Sequence, residues 1–175
     1  VWSPESKNEL ETLFDLKTIY SKEELLKLYG KENLSYIFTT WGMPSFTREE
    51  VKTFKSLECV FYAAGSVQGF AREFISEGIH VFSAWAANAV PVAEYAVSQI
   101  LLANKGFFGS SVLAKKGDRE KASEHFNMFR GNYGQKVGLL GAGMIGKLVI
   151  QMLSHYNLKI LVFDPFLPDD KAAEL

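Results

Sequence analysis

One stretch constrains the fold of this chain more than any other: KVGLLGAGMIGKLVIQMLSHYNLKILVFDP, residues 136–165. An apolar run of strand character meets a cluster of glycines, which opens into a helical pattern and then a second apolar run. Strand, glycine turn, helix and strand in that order predict a βαβ unit, and a βαβ unit requires a parallel sheet.

The turn reads GAGMIG, with glycines at 141, 143 and 146. Gly141 permits the tight turn, Gly143 lets the backbone approach a pyrophosphate with no Cβ in the way, and Gly146 allows helix and strand to pack closely. The N–H groups of Met144 and Ile145 would then point, with the helix dipole, at bound phosphates. The second strand ends in VFDP, which puts Asp164 near the ~20-residue separation at which a carboxylate accepts hydrogen bonds from an adenosine ribose. An acid there repels a 2′-phosphate, so the pattern predicts NAD over NADP. A plain tight turn is the competing explanation of the glycines. The coincidence of strand, glycines, helix, strand and terminal acid favours the dinucleotide.

Upstream, Ser3 and Pro4 predict a helix start, with Leu10, Leu13 and Phe14 on one face. A strand-like run follows at Leu16 to Tyr20. Ser21 with Glu24 reads as a capping box opening a second helix that carries Leu25, Leu26 and Leu28. SYIFTT is a strand, Thr47 with Glu50 another capping box, and CVFYAA a strand ending in a glycine turn at Gly65. A helix around Phe70 to Ser76, closed by Gly78, precedes the strand IHVF. This alternation implies a parallel sheet covered on both faces. From Ala89 to about Lys105 the pattern is a longer apolar helix. The polar stretch after it exceeds an ordinary connection, so it should hold helical turns of its own or be a mobile interdomain segment.

With 47% of residues apolar, the chain can build one sizeable core, or one modest domain and a piece of another. Nineteen basic against 20 acidic residues leave no broad positive field for nucleic acid or an anionic membrane, so small molecules or proteins are the expected partners. No apolar stretch reaches the ~18 residues of a membrane span, and VWSPESKNEL lacks the basic and apolar regions of a signal peptide. A cytoplasmic location is expected. Cys59, the single cysteine, sits in an apolar strand run and is expected to be a buried small hydrophobe. No residue is assigned to a metal.

Two stretches resemble the D-isomer-specific 2-hydroxyacid dehydrogenases: GQKVGLLGAGMIGKLVIQMLSHYNLKILVFDPFLP, with its Asp164–Pro165 pair, and YAAGSVQGFAREFISEGIHVFSAWAANAVPVAEYAVSQILL. The resemblance implies an α/β protein in which a flavodoxin-like substrate domain (residues 1–106, incomplete at its start and ending in the interdomain helix) is followed by an interdomain segment (107–134). The first βαβ unit of a Rossmann NAD-binding domain, truncated, would occupy 135–175. It implies hydride transfer between NAD and a small 2-oxo or 2-hydroxy acid, with a homodimer as the full-length form.

In that family a glycine turn grips the substrate carboxylate through backbone N–H groups, a role that would fall here to Ala64 and Gly65, with Ser66 nearby. Asn88, in NAVPVAE, would make a polar contact to substrate or nicotinamide, and a helix N-cap is its competing role. Cofactor contacts would fall to Gly141, Gly143, Met144, Ile145, Gly146, Asp164 and Pro165. The chain departs from the family pattern at Val67 and Gln68, where relatives usually carry an aspartate, and at SAWAA before Asn88. The family's catalytic arginine, glutamate and histidine are expected beyond residue 175. That leaves no catalytic residue among His80, His125 and His155, or among Arg72, Arg119 and Arg130. The resemblance extends to the C-terminal binding protein corepressors, so a dinucleotide-sensing interaction protein is the alternative.

Overall fold

The computed structural model describes residues 2–28 and 30–172, which belong to two compact units, Val1–Trp85 and Ala86–Leu175. In the first unit, Ser3 caps α1 (Pro4–Leu13) by accepting from the Ser6 N–H at 3.1 Å. Pro4 stands in the first turn, where its missing donor removes no helical bond. The strand expected at Leu16 to Tyr20 does not form. Strand character alone gives the backbone no partner, and here the Tyr20 N–H donates to the Glu24 carboxylate at 2.8 Å instead. The segment thereby becomes the lead-in to α2 (Lys22–Lys27), whose cap Ser21 accepts from the Glu24 N–H at 3.0 Å.

Three parallel strands follow, β1 (Tyr36–Thr39), β2 (Cys59–Tyr62) and β3 (His80–Ser83), hydrogen-bonded in that order. Between β1 and β2 lies α3 (Arg48–Val51), started by a reciprocal capping box: Thr47 accepts from the Glu50 N–H at 3.2 Å, and Glu50 accepts from the Thr47 N–H at 2.7 Å. Helix α4 (Ala71–Ser76) links β2 to β3, and Gly78 ends the connection at φ +81°, a left-handed conformation that favours glycine.

Alternate strand residues face opposite sides of the sheet. Ile37, Val60, Tyr62 and Val81 share one face, where they pack with Val51, Phe54, Phe74 and Ile79. Phe74 is fully buried, which contributes roughly 2–3 kcal/mol. On the other face Phe38, Phe61 and Phe82 stack in register, with centroids 5.1 and 5.4 Å apart. Phe14 and Trp2 pack on Phe38, whereas Phe82 stays 53% exposed. The cover expected on both faces is therefore complete on one face and partial on the other. Cys59 lies on the partly covered face and is only half-buried, contrary to the expected burial.

In the second unit α5 (Trp85–Asn104) begins four residues ahead of the expected Ala89, because the helix formers Ala86 and Ala87 extend it. Its Ala93 and Val97 share a core with Val137, Val149 and Leu153. By packing, the helix goes with the residues after it, and the two compact units divide after Trp85. The polar stretch forms α6 (Phe107–Lys115) and α7 (Arg119–Asn127), the helical alternative of the two expected. The βαβ unit is present: β4 (Gln135–Leu140), α8 (Met144–Leu153) and β5 (Leu158–Phe163), with β4 and β5 parallel and Val137 opposite Ile160. A short α9 (Asp169–Ala172) closes the described chain.

Candidate functional site

The turn between β4 and α8 is built from backbone. Gly141 has φ +97°, and its N–H donates to the Phe163 carbonyl at 2.8 Å, tying the turn to the end of β5. A Cβ on Gly146 would collide with the Gly141 carbonyl oxygen, so the third glycine is required by the turn's own backbone. At Gly143, in extended backbone at φ −69°, a Cβ would meet nothing within 4 Å. Its missing side chain leaves open space in front of the helix.

That space is edged by donors. Lys147 makes the first intrahelical bond of α8, to the Gly143 carbonyl at 2.9 Å. The N–H groups of Gly143, Met144, Ile145 and Gly146 have no acceptor among the described residues. These are the orphan donors of a helix start, where the helix dipole favours negative charge. Met144 and Ile145, the first two residues of α8, are each 40% exposed.

Asp164 follows β5 directly. Its Oδ2 accepts from the Ala142 N–H at 2.7 Å and its Oδ1 from the Phe166 N–H at 2.8 Å, the latter a local turn on its own backbone. These two donors, the Ala142 N–H foremost, hold the carboxyl below the usual aspartate range, with Lys147 adding to the effect. Each oxygen keeps further acceptor capacity. Pro165 is exposed between the two bonded partners. Free amides, an open approach at Gly143 and an ionised carboxylate at the neighbouring strand end fit the diphosphate and ribose of a dinucleotide. Sequence spacing anticipated this carboxylate but not its bond to Ala142.

In the first unit, Ala64 is buried and Ser66 exposed in the bend after β2. The N–H groups of Ala64, Gly65 and Ser66 have no acceptor among the described residues. Ser83, at the end of β3, donates its hydroxyl to the carbonyls of Ala64, at 3.0 Å, and Gly65. Sequence reasoning passed over Ser83, whose only signal is a polar residue ending an apolar strand. Asn88 lies inside α5, half-buried, so it is not the helix N-cap. It belongs to the second unit, and residues 64–66 to the first. The histidines lie apart: His80 begins β3, His125 packs on Phe129 at 5.1 Å, and His155 is exposed after α8.

Fold and turn together define a Rossmann-type βαβ unit. Residues 97–175 match the family model described as D-isomer specific 2-hydroxyacid dehydrogenase, NAD binding domain. The D-3-phosphoglycerate dehydrogenase of Methanocaldococcus jannaschii is 25% identical over 164 residues, covering 92% of this chain and 30% of that protein. Among solved structures, the PH0520 protein from Pyrococcus horikoshii superposes with a TM-score of 0.70 at 24% identity, over 99% of this chain and 53% of its own. A NAD-dependent formate dehydrogenase from Staphylococcus aureus in complex with NAD superposes at 0.64, with 22% identity, over 83% and 44%. The chain is thus similar to the D-isomer-specific 2-hydroxyacid dehydrogenases, and residues 97–175 carry the match to their NAD-binding domain. It spans 30% and 52% of the length of the first two curated relatives. No helix among the described residues is long and apolar enough to cross a membrane.

Proposed function

We propose that the protein is an NAD-dependent oxidoreductase that transfers a hydride between nicotinamide and a small 2-oxo or 2-hydroxy acid of D configuration. The observation that carries this reading is the βαβ turn, in which unpaired amides at 143–146 face open space while Asp164 stands bonded to Ala142. Bound NAD supplies the hydride acceptor or donor. Gly141 and Gly146 hold the turn in shape, and the amides of Gly143, Met144, Ile145 and Gly146 take the diphosphate. Asp164, followed by Pro165, takes the adenosine ribose and disfavours a 2′-phosphate. The turn at Ala64, Gly65 and Ser66 takes the acid's carboxylate, and Asn88 gives a polar contact to substrate or nicotinamide.

The functional division assigns residues 1–106 to the substrate portion, 107–134 to the connecting segment and 135–175 to the cofactor portion. Acid–base chemistry falls to an arginine, a glutamate and a histidine after residue 175 in the family's order. The whole protein works as a cytoplasmic homodimer, which light scattering on the full-length form checks.

The test uses full-length protein: NADH binding by fluorescence, then turnover against a panel of 2-oxo acids. Tight NADH binding with oxidation in the presence of at least one acid is the expected result. Absence of NADH binding overturns the reading. Binding with no turnover of any acid favours the interaction-protein alternative.

A further inference from the structure

The bend after β2 is held by one hydroxyl. Ser83 lies on β3 with its Cα opposite Tyr62, and its Oγ–H is shared between the carbonyl oxygens of Ala64 and Gly65. A hydroxyl has a single proton, so the two acceptors divide it as a three-centre bond. Drawing two successive carbonyls to one atom puts them on the same side of the chain.

Every peptide bond among the described residues is trans. In a planar trans peptide the C=O and the N–H point in opposite directions. The Ala64 carbonyl shares its peptide with the Gly65 N–H, and the Gly65 carbonyl shares its own with the Ser66 N–H. Fixing both carbonyls on Ser83 therefore turns the amides of Gly65 and Ser66 outward together. Both amides have no acceptor among the described residues, and Ser66 is exposed. Two adjacent unpaired N–H groups, both turned away from Ser83, can each donate to one oxygen of a carboxylate.

We infer that Ser83 is a positioning residue for substrate: its hydroxyl orients the amides of Gly65 and Ser66 as the donor pair for the acid's carboxylate. This rests on the proposed function and narrows it, since it takes the outward pair to be Gly65 and Ser66 and leaves the Ala64 amide outside it. Ser83 itself touches no substrate atom.

The experiment uses full-length wild type with the variants Ser83→Ala and Ser83→Thr, the second retaining the hydroxyl. In Ser83→Ala the KM for the preferred 2-oxo acid is expected to rise about fivefold to tenfold, the equivalent of one hydrogen bond. Its kcat and NADH affinity should stay within about twofold, and Ser83→Thr should return KM close to wild type. A general structural role would instead move NADH affinity and kcat with KM, and that result overturns the assignment. So does an unchanged KM in Ser83→Ala, or a raised KM that threonine fails to restore.

If Ser83→Ala does not fold, hydrogen–deuterium exchange on wild type with oxalate as the probe decides. Slowed exchange over residues 64–66 supports the inference, and unaltered exchange there during oxalate binding overturns it. Wild type that binds NADH yet neither turns over any acid nor binds oxalate sinks the functional reading together with this one. Turnover by wild type that is indifferent to Ser83 sinks this one alone.

Discussion

Asp164 and Ala142 are 22 residues apart and joined by a 2.7 Å hydrogen bond from the Ala142 N–H to the Asp164 Oδ2. The carboxylate thus braces the glycine turn from the neighbouring strand end while keeping capacity for a ligand. Replacing it tests both roles. Asp164→Ala is expected to weaken NAD binding by about tenfold and to narrow the preference for NAD over NADP, because the repulsion against a 2′-phosphate disappears. Parallel titrations with NADH and NADPH measure this, and an unaltered ratio of the two affinities would refute it.

The same bonds define an acid limit. The Ala142 and Phe166 amides stabilise the charged carboxylate, so the folded protein holds Asp164 below its unfolded value. A depressed aspartate contributes stability that is fully present above the unfolded pKa, about 3.9, and is lost as pH falls through the folded value. Melting curves of wild type should be insensitive to this group from neutral pH to about pH 5 and should decline more steeply below about pH 4 than those of Asp164→Asn. Equal acid sensitivity in the two proteins would count against the brace.

The three glycines separate by mechanism. Gly146→Ala forces a methyl against the Gly141 carbonyl and should cost about 1–3 kcal/mol, read as a lowered Tm. Gly143→Ala adds its methyl to open space in a permitted conformation, so Tm should hold while NADH affinity drops by tenfold or more, roughly 1.4 kcal/mol. Were Gly143→Ala to bind NADH normally, the space before α8 would not be the diphosphate site.

Core and cap variants calibrate the first unit. Phe74→Ala removes a fully buried ring and should cost about 3–5 kcal/mol, while Thr47→Ala, which opens the capping box of α3, should cost about 1 kcal/mol. Denaturant titration of the full-length protein gives both, and a reversed order would contradict the packing described.

What could be read in advance follows the range of the interaction. The caps at Ser3, Ser21 and Thr47 are legible because partner and donor lie three residues apart. The βαβ unit was legible from its glycines, and so was the carboxylate at its far strand end. Leu16 to Tyr20 misled because a strand exists only with a neighbour, and the Glu24 carboxylate took the amide of Tyr20. The packing of α5 was not legible, because Ala93 and Val97 find their partners, Val149 and Leu153, across tens of residues. Ser83 stayed hidden for the same reason: its acceptors, Ala64 and Gly65, lie on the preceding crossover.

At both candidate sites the donors aimed outward are main-chain amides, which every residue except proline carries. Recognition of this kind is indifferent to side-chain identity at Met144, Ile145 or Ser66, provided the local path of the chain persists. Such positions can drift widely while the grip survives, and what evolution must guard is the small set of groups that shape the path: the glycines at 141, 143 and 146, one carboxylate and one hydroxyl.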